Sequence, residues 1–167
     1  VDAETSNGNI RISGLSGEAK LETSNGLIVV DGHDGGVVAS SSNGNITIEK
    51  TSGAIEAETS NGGITVRDAP VSVKADTSNG NIRVGMLASA VGPVHLDTSN
   101  GGIELDIGAA FAGVLRADTS NAGVDLDVPA GLKVVKRTRS EAEITFAPTG
   151  KSSVLDTSNG QIKIRQR

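Results

Sequence analysis

One four-residue motif recurs along the whole chain and constrains its fold more than any other feature. Thr-Ser-Asn-Gly begins at Thr5, Thr23, Thr59, Thr77, Thr98 and Thr157, with near copies at Ser41 and Thr119. The copies lie 18 residues apart as far as Thr77 and 21 apart as far as Thr119, and the last interval of 38 divides evenly at Thr138. Periods of this size are typical of repeat proteins in which each unit stacks on its neighbours.

Each repeat unit contains two short segments of alternating apolar and polar residues. One follows the motif, as in Asn9-Ile-Arg-Ile12, and the other precedes it, as in Ala19-Lys-Leu21. This period of two is typical of half-buried strands, and Gly-rich turns separate the segments. We therefore predict an all-β, single-chain β-solenoid (β-helix) of about nine coils of 18–21 residues with Asn-Gly corners. It forms one domain over 1–167, with regular coils in 1–84, enlarged coils in 85–118 and degenerate basic coils in 119–167.

A meander of hairpins is the alternative, because Asn-Gly favours two-residue hairpin turns. In a meander, successive motif copies would lie at alternate edges of a sheet, whereas a solenoid places every copy at one corner. The recurrence of the same four residues therefore favours the solenoid.

Stacking predicts a structural role for each residue of the motif. The asparagines should form a ladder of side-chain hydrogen bonds from coil to coil, and the threonines should point inward. We expect the glycine to adopt positive φ, and Ala122, which replaces it in one copy, to be strained or differently turned. The predicted ladder comprises Asn7, Asn25, Asn43, Asn61, Asn79, Asn100, Asn121 and Asn159.

Composition and charge exclude several classes of protein. The chain has two Phe, no Trp, no Tyr, no Cys and a net charge of −5, so a disulfide framework is excluded and nucleic acid is not an expected partner. No apolar run is long enough to form a membrane span. The charge is uneven, with eight of the fifteen Lys and Arg residues beyond position 130. Because the chain begins at Val1, we expect a signal peptide to have been removed and the protein to be extracellular or at the cell surface.

An acid precedes most motif copies and is the only candidate for ion binding. Stacking should align these acids, which we call the acidic rank, about 4.8 Å apart, where they would bind divalent cations weakly if at all. We predict no metal site and no cofactor. His33 and His95 are expected at the surface. The stretch Asp31–Gly36 resembles a calcium-binding nonapeptide, but it occurs once and is not repeated. The acidic rank comprises Glu4, Glu22, Glu58, Asp76, Asp97, Asp118 and Asp156, interrupted by Ser40.

The sequence contains no pattern that indicates catalysis. No Ser/His/Asp set and no Gly-rich phosphate loop can be assembled, so we predict that the protein is not an enzyme. A carbohydrate lyase is disfavoured by the shortage of aromatic residues. Ice binding is disfavoured because the only threonine rank points inward.

The Thr-Ser-Asn-Gly-x-Ile-x-Val repeats resemble a bacterial family of adhesin-like domains of unknown function, related to the head domains of autotransporter-type adhesins. The resemblance spans nearly the whole chain. It implies a β-solenoid on the cell surface or in the envelope, and it implies no substrate.

Finally, the ends of the chain predict self-assembly. The segments at both ends stop midway round a coil, so we expect them to complete one turn between subunits, giving a head-to-tail fibre or matrix filament. The alternatives are a discrete cell-surface adhesin that binds a surface or matrix ligand on one face, and a cytoplasmic scaffold resembling the bactofilins. The predicted polymer interface comprises Val1, Asp2, Ala3, Glu4, Ile162, Lys163, Ile164, Arg165 and Arg167.

Overall fold

The alternating segments of the sequence form short strands throughout the chain. The computed structural model describes residues 1–129, 132–146 and 150–167, and this part contains strands, turns and no helix. The strands are β1 Asp2–Thr5, β2 Ile10–Ser13, β3 Ala19–Thr23, β4 Ile28–Asp31, β5 Val37–Ser41, β6 Ile46–Glu49, β7 Ile55–Thr59, β8 Ile64–Ala69, β9 Val73–Thr77, β10 Ile82–Met86, β11 Val94–Thr98, β12 Ile103–Ile107, β13 Val114–Thr119, β14 Val124–Asp127, β15 Lys133–Arg137, β16 Glu141–Thr145, β17 Ser153–Thr157 and β18 Ile162–Gln166.

The strands stack into two sheets, which confirms the predicted β-solenoid. Each coil contributes one strand to sheet A (the odd-numbered strands from β1 to β13, and β17) and the next to sheet B (the even-numbered strands from β2 to β14, and β18). Neighbouring strands are parallel and in register, so equivalent residues of the repeat lie directly above one another, as Ile10 does on Ile28 and Ile28 on Ile46. Six turns, β1–β2 to β11–β12, follow one another in chain order. The prediction of nine successive coils was wrong.

The chain departs from sequential stacking after the sixth turn. Strand β17 lies between β11 and β13, and β18 lies between β12 and β14, with parallel pairing on both sides. The last coil of the chain, β17–β18, is therefore inserted into the stack ahead of the coil that precedes it in sequence. We call β17–β18 the C-terminal coil and the gap that it fills the slot.

The stack ends on a hairpin and not on a coil. Strands β15 and β16 pair antiparallel with each other, and β16 pairs antiparallel with β13. Thr138, predicted to mark a degenerate coil, lies in the hairpin turn, where its N–H donates to the carbonyl of Glu141 over 2.8 Å. The prediction failed because the stretch between β14 and β17 carries no Asn-Gly corner. Lys133, Lys136 and Arg137 occupy the exposed outer strand β15, so this end of the stack has a basic edge.

The core is a set of apolar columns that run along the stack. Alternate residues of each strand point inward, and the central coils bury them almost completely: Ile46, Ile64 and Ile82 are all 0% exposed. Near the hairpin the core also contains an aromatic pair, in which buried Phe111 meets Phe146 edge to face with ring centroids 5.2 Å apart. Both phenylalanines of the chain therefore pack between the solenoid and its terminal hairpin.

Candidate functional site

The motif asparagines lie in one column at the corner that follows each sheet A strand. Each side-chain Nδ2 donates to the Oδ1 of the asparagine one layer away, over 2.7 to 3.0 Å. The ladder follows the spatial order, so Asn159 lies between Asn100 and Asn121 although it comes last in sequence. The bonded order is Asn7, Asn25, Asn43, Asn61, Asn79, Asn100, Asn159 and Asn121.

The motif threonines beyond Thr5 are buried and also bridge consecutive layers. The Oγ1 of Thr59 donates to the carbonyl of Gly44 over 3.0 Å, and Thr77 makes the same bond to Gly62 over 3.1 Å. Thr98, Thr157 and Thr119 continue the pattern towards the hairpin. Inward threonine hydroxyls thus satisfy carbonyls that the tight corner leaves without a strand partner.

The motif glycine is required for a reason other than the one predicted. None of the motif glycines has positive φ; the glycines that do lie in other turns, such as Gly14 and Gly32. Instead, a Cβ on Gly62 would lie 2.1 Å from the carbonyl oxygen of Gly44, because the corners of successive coils stack backbone on backbone. Ala122 is not among the residues with positive φ, and it stands in the last parallel layer, next to the corner of Gly160.

A second side-chain ladder follows the glycine at several corners. The Oδ1 of Asn45 accepts a hydrogen bond from the backbone N–H of Gly63 over 2.7 Å, and Asn81 makes the same contact with Gly102 over 2.8 Å. Asn9 and Leu27 begin the series. The sequence shows this signal as a recurrent Asn two residues after the motif Asn.

The acidic rank forms one continuous column on the outer face of sheet A. Strand register places the residues in the order Glu4, Glu22, Ser40, Glu58, Asp76, Asp97, Asp156 and Asp118. Glu141 of the hairpin extends the column beyond Asp118. Glu22 pairs with Lys20 at 2.8 Å. From Glu58 to Asp118, no acid of the rank has an ion-pair partner within the described residues.

Two carboxyl groups of the rank have perturbed proton affinities. Burial, and then the neighbouring Asp76 and Asp156, raise the pKa of Asp97 above its ordinary value. Burial, and then Glu141 and Asp156, likewise raise the pKa of Asp118. A carboxylate in one strand disfavours ionisation of a carboxyl group next to it in the adjacent strand. Ionising the acids at the centre of the rank therefore costs free energy in the folded state.

The two histidines lie in different environments. His95 is exposed on sheet A, as predicted for both. The prediction was wrong for His33, which is 1% exposed with its Nε2 2.7 Å from the carbonyl oxygen of Gly17. The turn that carries it lies between β4 and β5 and contains Gly32 and Gly35, both at positive φ. This turn points the ring of His33 inward.

The calcium-like stretch Asp31–Gly36 is used for contacts between coils. Asp34 accepts a hydrogen bond from the hydroxyl of Ser52 over 2.6 Å, and Asp31 pairs with Lys50 at 3.4 Å. The residues that the structure describes contain no cluster of His, Cys, Asp and Glu able to hold a metal ion. Calcium-independent stability therefore stays a prediction.

The two halves of the predicted polymer interface lie in different settings. Val1, Asp2, Ala3 and Glu4 form the outer layer of sheet A at the N-terminal end of the stack. Ile162 and Ile164 are 0% exposed in β18, the second strand from the end of sheet B, and Lys163, Arg165 and Arg167 lie on the outer face at the same end of the sheet. The C-terminal strand therefore presents no free edge, because the chain folds back to fill the slot.

A charged open groove, which the sequence analysis missed, runs across the outer face of sheet B. It has a volume of about 700 Å³, and its lining includes four arginines and three acids among uncharged residues. Arg165 bridges to Glu104 at 2.6 Å, Arg83 contacts the other oxygen of Glu104 at 2.8 Å, and Arg167 pairs with Asp106 at 2.5 Å. The hydrogen bond from Arg83, and then the charge of Arg165, lower the pKa of Glu104. The signal was present in the sequence as Glu and Asp in 103–107 and Lys and Arg in 162–166.

Membrane insertion by a helix finds no support in the described residues, since they include no helix of the necessary length and hydropathy.

Comparison with known proteins gives one distant likeness. No protein-family model and no curated protein matches the chain. A solved structure, that of a putative cell adhesion protein from Clostridium sporogenes, aligns with 96% of this chain and 93% of its own at 8% identity and a TM-score of 0.36. At this level of similarity, no function is transferred from that protein to this chain.

Proposed function

We propose that the protein is a non-enzymatic structural and adhesive module that works outside the cytoplasm as a rigid rod. The observation that carries the proposal is the use of the motif itself. Its threonine, asparagine and glycine are all engaged in contacts between coils: Thr77 bonds to Gly62, Asn79 to Asn61, and a Cβ on Gly80 would lie 1.9 Å from Gly62. The repeated chemistry of the sequence therefore serves to hold the stack together.

The acidic rank is the face best suited to adhesion. Within the described residues its central acids follow one another without ion-pair partners, and burial, followed by the neighbouring carboxylates, raises the pKa of Asp97 and Asp118. A partner with regularly spaced cationic groups would relieve this repulsion, and the attraction would be strongest at low ionic strength. The outer face of sheet B, by contrast, pairs its own charges internally.

Adhesion to cationic surfaces tests this part of the proposal. Beads coated with the protein should bind a poly-lysine surface, and the triple variant Glu58→Gln, Asp76→Asn and Asp97→Asn should bind markedly less. The matched control changes three acids on sheet B or in turns, Glu49→Gln, Asp106→Asn and Asp34→Asn, with the same loss of charge. Equal loss of binding in both variants would mean that net charge, and not the acidic rank, governs adhesion.

A head-to-tail filament is a second candidate, supported by opposite charges at the two ends of the stack. The outermost strand at one end, β1, carries Asp2 and Glu4, and the outermost strand at the other, β15, carries Lys133, Lys136 and Arg137. The contact would join these two strands in place of the predicted C-terminal half-coil. Negative-stain images at increasing protein concentration test it: filaments that dissolve on Lys136→Glu and Arg137→Glu support this contact, and monomers throughout exclude it.

Location is a separate part of the proposal. A secreted or surface-bound module should be accessible to protease added to intact cells. Recovery of the protein only from the cytoplasm would instead favour the scaffold resembling the bactofilins.

A further inference from the structure

The slot is chemically matched to the coil that fills it. Strand β12 on one side presents Glu104 and Asp106 outward, and β14 on the other side presents Asp125 and Asp127 at the same register positions. Strand β18 between them presents Lys163 and Arg165. A basic strand thus lies between two acidic ones, with Arg165 2.6 Å from Glu104.

The same charges oppose stacking in chain order. If β14 were to pair directly with β12, Glu104 would face Asp125 and Asp106 would face Asp127. Like charges directly opposite each other in a sheet are destabilising. The acids of β12 and β14 therefore keep the slot open for a basic strand.

The slot also provides the C-terminal coil with contacts in the core, along the backbone and at the Asn-Gly corner. Leu155 and Ile162 are completely buried in the core columns. The Oγ of Ser153 accepts a hydrogen bond from the N–H of Val94 over 3.0 Å. Asn159 connects Asn100 to Asn121 in the asparagine ladder. These contacts depend on the sequence of the coil and not on the chain to which it is joined.

We propose that the slot is a binding site for a basic coil, and that the C-terminal coil of a second copy of this chain can fill it by exchange. In the exchanged pair each slot is closed by the other copy, with all strand pairs, core contacts and ion pairs retained. Exchange of an identical element is a low-cost route to association. A tethered coil competes at an effective concentration on the order of 1 mM, so exchange is favoured when copies fold together at high concentration.

The chain has no cysteine, so engineered disulfides can report exchange directly. His95 and Val154 are register partners on the outer face of β11 and β17, within the range of positions that a disulfide can join. The double variant His95→Cys/Val154→Cys should close an internal disulfide in the monomer. Absence of that bond would contradict the inserted topology and overturn the proposal with it.

The exchange test mixes two full-length single variants, His95→Cys and Val154→Cys, unfolds them together and refolds them at increasing concentration. Exchange predicts a disulfide-linked heterodimer whose yield rises with protein concentration. The matched control replaces Val154→Cys by Val38→Cys, because Val38 has the same 40% exposure and the same position in its coil but lies far from β11. A yield no higher than that of this control would overturn the proposal.

A second arm tests selection by charge. A donor that also carries Lys163→Glu and Arg165→Glu should give less heterodimer, and an acceptor with Glu104→Lys and Asp106→Lys should restore the yield. An undiminished yield from the reversed donor, or no recovery with the reversed acceptor, would overturn the claim that the slot selects a basic coil. Head-to-tail contacts between β1 and β15 would not form this disulfide, so the two modes of assembly are distinguishable.

Discussion

Among the single residues, the motif glycine is decisive because of the space that it leaves. Successive corners approach so closely that a methyl group on Gly62 has no room beside the carbonyl of Gly44. Gly8 occupies the same place in the first layer, where a Cβ would meet only the side chain of Thr5, with its Oγ1 nearest at 3.3 Å. The two glycines therefore differ in their tolerance of substitution because Gly62 has a preceding coil on the side to which its Cβ would point and Gly8 does not.

This difference predicts that Gly62→Ala lowers the free energy of unfolding by about 1–3 kcal/mol, because the two coils must move apart. Gly8→Ala should change it by less than about 0.5 kcal/mol. Urea denaturation of both variants measures the difference. Equal effects would mean that glycine is needed for backbone conformation and not for close approach.

The acidic rank predicts a pH-dependent gain in stability from Asp97→Asn. The raised pKa of Asp97 means that the folded state binds its proton more tightly than the unfolded state. Its contribution to stability is therefore present below the ordinary value of 3.8 and is lost as the pH rises through the raised pKa. Asp97→Asn should raise Tm near neutral pH and leave it unchanged in strong acid.

Glu104→Gln is the control of opposite sign, because the pKa of Glu104 is lowered. Its charge stabilises the fold above the ordinary carboxyl pKa, and that stabilisation is lost as the pH falls through the lowered pKa. Thermal melts of both variants across the acidic range should diverge in opposite directions. Parallel curves would show that neither carboxyl is coupled to folding.

At the scale of structural elements, the asparagine ladder should lose more from an interior change than from a terminal one. Asn61 donates to Asn43 and accepts from Asn79, both over 2.9 Å, whereas Asn7 accepts from Asn25 at the end of the column. With about 0.5–1.5 kcal/mol for each bond, Asn61→Ala should cost about twice as much as Asn7→Ala. Chemical denaturation of the two variants provides the comparison, and identical costs would contradict a ladder in which each bond stabilises the stack.

The terminal hairpin depends on a different contact, the pair formed by Phe111 and Phe146. Phe146→Ala should destabilise the hairpin by about 1–3 kcal/mol through lost apolar burial and the lost ring contact. Hydrogen exchange should then accelerate at the amides of β15 and β16 while β5 to β9 stay protected. Phe146→Leu is the control, since it keeps most of the buried area. Uniform acceleration throughout the chain would show that the hairpin does not unfold separately.

On the scale of the whole molecule, the stack is modular, because each regular coil contacts only its two neighbours. Deleting 37–54 removes one complete coil and joins Gly36 to Ile55, which occupies the register position of Val37. The shortened chain should fold into a rod about 4.8 Å shorter. Its urea m-value should fall in proportion to the surface that one coil exposes on unfolding.

Small-angle scattering and urea titration measure both consequences. The matched control deletes 37–45, half a coil, which would place a sheet B strand in sheet A and should prevent folding. If the 18-residue deletion also fails to fold, the stability of the rod is not the sum of its coils.

The sequence by itself determined the repeat unit, the strands and the corners, because their signals are local. Alternation marks the strands, and a motif that recurs every 18 residues requires equivalent positions to stack, so the inward threonines and the column of asparagines follow. The burial of His33 could not be predicted from the sequence, because a turn between two glycines can point a side chain either inward or outward.

Only the tertiary structure decided the order in which the coils stack. Nothing within 150–167 distinguishes a terminal coil from an inserted one, because its strands would pair equally well by backbone hydrogen bonds at either place. The inserted position brings residues distant in sequence together: Lys163 and Arg165 of β18 lie between the acids of β12 and β14, and Arg165 pairs with Glu104 at 2.6 Å. Charge pairing of this kind becomes visible only when the strands are laid side by side, because the partners are distant in sequence.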